Sequence, residues 1–138
     1  MHSLSKTEQI AGWICRVTLM IILLAALLLK FTGAEESIYI FAKIGLEPWG
    51  RYGAGVAELI AVVSLLTPRF VWAGALITLV VITGALVSHL TILGLVVQND
   101  RGWHFALAVV VFLCGVVTLF LSRHQIPHPS WHRCHVQK

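Results

Sequence analysis

Charged residues are scarce in this chain: Asp, Glu, Lys and Arg together make up 12% of its 138 residues. Ordinary soluble domains carry roughly 25% charged residues. Hydrophobic residues make up 58% of the chain, and the mean hydropathy is +0.87. The composition therefore excludes a typical soluble domain and indicates a membrane protein.

Motifs that hold a redox cofactor are also missing from the sequence. The three cysteines, Cys15, Cys114 and Cys134, are scattered, so they form neither a disulfide framework nor a CxxC or CxxCH motif. The chain has no Gly-x-Gly-x-x-Gly fingerprint for a dinucleotide and no clear pair of histidines on facing helices for haem. We therefore expect no covalently bound cofactor.

Uncharged apolar runs, in contrast, are long, as in residues 17–29, 71–88 and 105–122. About 20 apolar residues cross a bilayer as a helix. The apolar residues come in blocks, whereas the strands of a membrane barrel alternate apolar with polar residues. Four helical spans are predicted: Ala11–Leu29, Tyr52–Leu66, Val71–Leu93 and Trp103–Ser122.

The connections between these spans define the fold class. Pro68 and Arg69 predict a tight turn between the second and third spans, and the polar residues 98–102 predict another before the fourth. Residues 35–46 carry apolar side chains at helical spacing and are followed by a helix-ending Glu-Pro-Trp-Gly stretch at 47–50. The prediction is an all-α integral membrane four-helix bundle with a short interfacial helix between spans 1 and 2.

Topology and domain organisation follow from the four spans. An even number of spans puts both termini on one side, and Lys and Arg on that side slightly outnumber those on the other, so both termini are predicted to be cytoplasmic. Residues 1–123 form the predicted bundle, and residues 124–138 form a basic, His-rich tail that we expect to be disordered. A cleaved signal peptide is the alternative interpretation of the first span, because Thr32-Gly33-Ala34 ends in small residues, although Lys30 interrupts that junction.

The tail carries histidines three or four residues apart, a spacing that would align metal ligands on a continuous helix. Pro127 and Pro129 forbid such a helix, so no metal site is predicted, and metal binding by the tail remains the weaker alternative. Two of the four net positive charges of the chain lie in this tail and suit contact with anionic lipid, so we do not infer nucleic-acid binding. The weak metal candidates are His124, His128, His132 and His135.

One acidic residue, Glu58, stands in the middle of the second apolar run. A charged residue at mid-helix costs about 2.5 to 3.5 kcal/mol on insertion scales, so such residues are usually paired, neutralised or functional. Ala54, Gly55 and Ala61 lie on the same helical face, a pattern that lets membrane helices approach closely. We therefore expect Glu58 to point into the bundle.

Three basic residues are candidate partners of Glu58. Arg16 and Lys30 are fourteen residues apart on the first helix, which places them within about 40° on one face. Glu58 lies roughly 9 Å from the outer end of its helix, and the same counting places His89 at a similar depth. Glu58 could pair with Arg16 or Lys30, be protonated and neutral, or bind His89 and a ligand. The candidate ligand-binding or proton-relay site is thus Glu58, His89, Arg16 and Lys30, and a buried ion pair that only fixes helix packing is the alternative.

Several short motifs of the chain occur together in one known family. They are Arg16, Lys30-Phe31-Thr32-Gly33, Gly45-Leu46-Glu47-Pro48, Gly55-x-x-Glu58-Leu59 and His89. In these motifs the chain resembles the DoxX and DoxX-like membrane proteins, from about residue 16 to residue 121. The resemblance implies a four-helix inner-membrane protein associated with quinone-linked redox chemistry, since the family includes components of a quinol oxidase and of a thiosulfate:quinone oxidoreductase.

A membrane quinone would suit the candidate residues. Its ring carbonyl needs a hydrogen-bond donor and its protons need a titratable relay, which His89, Glu58 and Arg16 could supply. Because no residue pattern here holds an electron carrier, the chain is expected to be a non-catalytic subunit that works with a redox partner, rather than an enzyme alone. Two alternatives remain open. The first is a membrane adaptor whose buried charges only fix the packing of the helices. The second is a small proton or solute transporter, which would require a homo-oligomer because four helices make too small a path.

Overall fold

The structure is a computed structural model that describes residues 5–97 and 101–123. A 3-10 turn, Pro68–Phe70, precedes the fourth helix, and a π-helical turn, His89–Leu93, continues it. The described residues contain no β-strand. The α-helices are α1 (Lys6–Thr32), α2 (Glu35–Lys43), α3 (Trp49–Leu66), α4 (Val71–Ser88) and α5 (Trp103–Ser122).

Four helical segments are long and apolar enough to cross a membrane, and α2 is the short helix between the first two of them. This confirms the predicted all-α membrane bundle. The segments are Lys6–Thr32, Trp49–Leu66, Pro68–Leu93 and Trp103–Ser122.

Four helix boundaries differ from the prediction. Helix α1 ends at Thr32 rather than Leu29, and α3 begins at Trp49 rather than Tyr52. The other two differences have local reasons. Helix α1 begins at Lys6 rather than Ala11, because a capping box stabilises its start: Glu8 N donates to Ser5 Oγ at 3.3 Å and Ser5 N donates to Glu8 Oε2 at 2.7 Å. Helix α2 ends at Lys43 rather than residue 46, since Gly45 adopts a left-handed φ of 75° that a helix cannot accommodate.

The four long helices pack around one core. Helix α4 contacts α3 and α5, and α1 closes the bundle against the same two helices. Leu19, Leu23, Leu65 and Val111 are buried between them. Most of the outer surface carries exposed large apolar side chains, as a surface that faces lipid requires.

The bundle has two distinct ends. The start of α1, the α3–α4 connection and the end of α5 lie together at what we call the terminal end. Helix α2 lies at the opposite end, where it contacts α1, α3 and the π-helical turn, and we call this the α2 end.

Glycine sets the register between neighbouring helices. A Cβ atom on Gly74 would lie 2.8 Å from the backbone nitrogen of Leu65 and 2.9 Å from the carbonyl oxygen of Ala61, so α4 touches the backbone of α3 at this point. Because α3 and α4 are antiparallel, this contact places Glu58 level with Leu79 of α4. The side chain of Leu79 packs on Gly115 of α5, where an added Cβ would lie 3.0 Å from Leu79 Cδ2.

The predicted tail at 124–138 lies outside the described residues, as do its four candidate metal ligands. Both remain predictions from the sequence.

Candidate functional site

The buried carboxylate of α3 is paired with the last cation of α1. Lys30 Nζ lies 2.8 Å from Glu58 Oε1, and the two side chains are 15% and 6% exposed. Side chains on a helix lean toward its N-terminus. On two antiparallel helices, therefore, Lys30 leans into the bundle while Glu58 leans toward the α2 end, and the two groups converge. Of the two cations expected to compete for Glu58, the structure selects Lys30.

Glu58 keeps one oxygen unused. Its Oε2 atom is buried and has no hydrogen-bond partner among the described residues. A carboxylate can accept about four hydrogen bonds, and an unsatisfied buried polar atom costs about 1 to 3 kcal/mol. The carboxylate therefore has capacity to accept a hydrogen bond from a further group.

Arg51 connects the end of α1 to the start of α3. Its Nη1 donates to the carbonyl oxygen of Lys30, one of the terminal carbonyls that have no partner within α1. Its Nε lies 2.9 and 3.0 Å from the two carboxylate oxygens of Glu47, so Arg51 is itself held in place. Arg51 is thus a positioning residue for Lys30. The sequence reasoning missed this role, although a Glu four residues before an Arg is a recognisable sign of a charge pair.

Two aromatic rings, those of Phe31 and Tyr52, lie near each other where the end of α1 meets the start of α3. Phe31 follows Lys30 on α1, and its ring centroid lies 6.0 Å from that of Tyr52 on α3. Gly55 makes room for Phe31, because a Cβ at that position would lie 2.8 Å from Phe31 Cε2. Both rings are partly exposed on the outside of the bundle.

His89 does not lie beside Glu58. The helix register puts Glu58 level with Leu79, and His89 is ten residues further along, or about 15 Å toward the α2 end at 1.5 Å per residue. The ring of His89 meets Phe105 of α5 edge-on at 6.0 Å instead. The expected common depth is therefore wrong. It assumed that α3 and the third span end at the same level, whereas the π-helical turn extends beyond the start of α3 and packs on α2.

The surroundings of His89 indicate what it does there. Its Nδ1 lies 3.1 Å from the carbonyl oxygen of Gly94, and the backbone N–H of Gly94 donates to the carbonyl oxygen of His89 at 2.8 Å. A carbonyl oxygen only accepts, so this contact puts the proton of a neutral ring on Nδ1. His89 thus stabilises the π-helical turn and the glycine that ends it.

Arg16 lies near the terminal end, fourteen residues or about 21 Å from Lys30 along α1. Its Nε donates to the carbonyl oxygen of Leu65 in the last turn of α3, and its guanidinium lies 5.0 Å from the centroid of the Trp13 ring. No carboxylate of the described residues forms a salt bridge with it. The four predicted site residues therefore occupy three places: Lys30 with Glu58, His89 beyond them at the α2 end, and Arg16 near the terminal end.

Metal-ligating side chains are dispersed in the described ranges 5–97 and 101–123. No group of three or more His, Cys, Asp or Glu residues there could hold a metal ion. His104 Nε2, at the start of α5, lies 3.3 Å from Glu36 Oε2 of α2 and joins these two helices. Cys15 of α1 and Cys114 of α5 are free cysteines whose side chains lie near each other, a proximity that no spacing in the sequence could indicate.

Comparison with known proteins does not identify the chain. No protein-family model matches it, and no curated protein or solved structure is significantly similar to it. The resemblance to the DoxX proteins stays a prediction from short motifs, and the function has to be argued from the site.

Proposed function

We propose that this protein is an inner-membrane subunit of a quinone-linked oxidoreductase, with both termini in the cytoplasm, and that Lys30 and Glu58 bind the headgroup of the membrane quinone. The observation that carries the proposal is the buried Oε2 of Glu58, which lies in a membrane-spanning helix and has no partner among the described residues. Ionisable groups at such depth usually mark substrate or proton pathways.

The Lys30–Glu58 pair has the hydrogen-bonding capacity that a quinone and its reduced form require. Lys30 has three N–H donors and uses one on Glu58, so another can donate to a ring carbonyl. Glu58 Oε2 can accept from the hydroxyl of the reduced ring. The site thus offers a donor and an acceptor side by side.

The surroundings suit a flat ring with an apolar tail. Phe31, next to Lys30 in the sequence, and Tyr52, whose ring lies 6.0 Å from it, are partly exposed and could pack against a planar headgroup. Both rings belong to the set of exposed large apolar side chains of the bundle. An isoprenoid tail could therefore remain in the bilayer while the headgroup enters between α1 and α3.

In this proposal the chain would accept a proton from the quinol, and a partner subunit would accept the electrons. A quinol releases protons together with its electrons, and Glu58 is the carboxylate placed to accept one proton. Because the sequence holds no motif for a redox cofactor, the electron acceptor belongs to another subunit. Lys30 would orient the ring, and Arg51 would hold Lys30 in position.

The test is to purify the protein in mild detergent and measure bound quinone by extraction and mass spectrometry. We expect a stoichiometric quinone in the unaltered protein and at least about tenfold weaker retention in Glu58→Gln, since a protonatable acceptor is replaced by an amide of the same shape. Glu35→Gln is the matched control, because Glu35 is an exposed carboxylate on α2. Circular dichroism checks that both variants fold. Bulk phospholipid alone in the extract, or equal quinone retention in Glu58→Gln, would contradict the proposal.

A membrane adaptor is the second candidate, favoured by the way Arg51 and Lys30 tie the end of α1 to α3. In that function the charges only hold the helices together. A Lys30→Met/Glu58→Leu double variant would then support normal growth of a deletion strain, whereas a quinone site would be lost in it.

A further inference from the structure

A second polar site lies near the terminal end of the bundle, separate from the Lys30–Glu58 pair. A cleft of about 320 Å³ opens there between the first turns of α1, Pro68 and the last turns of α5. Arg16 and Trp13 line one wall, and Thr118 and Ser122 line the other. The cleft therefore brings a cation and hydroxyl groups together at the terminal end of the bundle.

Arg16 forms no salt bridge with the described residues. Its Nε donates to the carbonyl oxygen of Leu65, a neutral acceptor, and its terminal nitrogens have no salt-bridge partner there. Glu8 also lines the cleft, but its Oε2 accepts from the backbone N–H of Ser5 in the capping box of α1. A guanidinium offers five donors and binds phosphate with two parallel hydrogen bonds, so Arg16 keeps the donors that an oxyanion needs.

Thr118 carries an independent sign of a ligand. The residue is 3% exposed, and its Oγ1 has no hydrogen-bond partner among the described residues. Other helical threonines of the chain, such as Thr78 and Thr83, donate to the carbonyl oxygen four residues earlier at 2.8 and 2.6 Å. Thr118 makes no such hydrogen bond, although the corresponding carbonyl oxygen lies one turn earlier on its helix. Its hydroxyl hydrogen is thus not used by the described residues, and Thr118 is one of the residues that line the cleft.

The position of the cleft points to the source of the oxyanion. It lies where α3 and α5 end, and Trp13 beside it is mostly exposed, as tryptophan is at the level of the lipid headgroups. Exposed cations at this end, Lys6, Arg69 and Arg123, outnumber Glu8, the one acidic residue described there. Anionic lipid is therefore attracted to this end.

We infer that the cleft lined by Arg16 and Thr118 binds a phosphate oxyanion, and that the oxyanion is the headgroup phosphate of an anionic membrane lipid. Arg16 binds it with its terminal nitrogens, Thr118 donates a further hydrogen bond, and Trp13 packs against the glycerol and upper chain of the lipid. The site would anchor the terminal end of α1 in the headgroup layer.

The test is native mass spectrometry of the full chain, released from nanodiscs that contain phosphatidylglycerol or only phosphatidylcholine. We expect one phosphatidylglycerol retained per chain, about tenfold weaker retention in Thr118→Val, and loss of retention in Arg16→Gln. Thr118→Val should fold normally, because it replaces a hydroxyl without a partner by a methyl group of the same size, and it keeps the test decisive if Arg16→Gln does not fold. Thr91→Val, at the α2 end, is the matched control and should retain lipid as the unaltered chain does.

A competition with inorganic phosphate at constant ionic strength separates the two sources of the anion. Lipid retention that resists inorganic phosphate supports the proposal. Displacement of the lipid by inorganic phosphate, together with a phosphate-dependent rise in Tm in phosphatidylcholine nanodiscs, would overturn the assignment to lipid. Equal retention of phosphatidylglycerol by the unaltered chain and Thr118→Val, or no retention by either, would overturn the site itself.

Discussion

The strength of the Lys30–Glu58 pair can be measured by removing each partner alone and then both together. At a separation of 2.8 Å, two unit charges attract by about 6 kcal/mol at an effective dielectric constant of about 20. Much of this attraction offsets the cost of taking both charges out of water. The pair is therefore expected to add little net stability over two apolar residues, while either charge left alone is costly.

The two single variants should differ. Lys30→Met leaves a buried carboxylate and should lower the free energy of unfolding by about 3 to 5 kcal/mol. Glu58→Leu should cost less, about 1 to 2 kcal/mol, because Lys30 ends α1 and its long side chain can turn toward the membrane surface. The double variant should lie within about 1 kcal/mol of the unaltered protein. Since the two single effects sum to about 4 to 7 kcal/mol, the coupling energy should be about 3 to 8 kcal/mol.

Reversible unfolding by dodecyl sulfate in mixed micelles, followed by circular dichroism, measures these free energies. Lys43→Met is the matched control, because Lys43 is an exposed cation on α2 and its replacement should change stability by at most about 0.5 kcal/mol. A coupling energy below about 0.5 kcal/mol would refute the reasoning, since independent sites add to within that margin. Lys30 and Glu58 would then not form a desolvated pair.

Three further outcomes test the packing and the separation of the sites. Gly74→Ala should destabilise the bundle by about 1 to 3 kcal/mol, because its Cβ would clash with the α3 backbone. Gly84→Ala on the same helix is the control: its Cβ meets nothing within 4 Å, so it should be neutral or stabilising. Equal unfolding curves for the two variants would disprove the close contact at Gly74. His89→Leu should cost about 1 kcal/mol through the lost hydrogen bond yet leave quinone retention unchanged, and loss of the quinone would show that His89 is part of that site. Oxidation with copper phenanthroline should join Cys15 to Cys114 within one chain, seen as a mass lower by two hydrogens, and a chain that keeps free thiols would argue against this contact between α1 and α5.

Much of the fold could be predicted from the sequence because membrane insertion depends on local composition. A run of about 20 apolar residues has to form a helix, since no water is present to satisfy its backbone groups. The turn at Pro68 and the helical spacing of apolar residues in 35–46 are likewise local signals, because each depends on only a few neighbouring residues. The same local logic singled out Glu58, because a carboxylate in an apolar run requires an explanation wherever the helix lies.

The side chains that pair between helices could not be predicted in this way, because the pairing depends on how far one helix is shifted along another. Arg16 and Lys30 share a face of α1, and only the register against α3 decides that Lys30 reaches Glu58 while Arg16 reaches Leu65. That register follows from close contacts between α1 and α3, such as the packing of Phe31 on Gly55, which have no signature in a single helix.

The sequence by itself thus determined the number, type and apolar character of the helices, together with the presence of a carboxylate among them. The tertiary structure decided the depth of His89, the unused oxygen of Glu58 and the cleft that joins Arg16 to Thr118. The physical reason is that the two effects depend on different parts of the chain. Burial in lipid acts on each helical segment alone, whereas side-chain partners depend on how two helices pack. A shift of a few residues between packed helices moves a side chain by several ångströms and changes its partner.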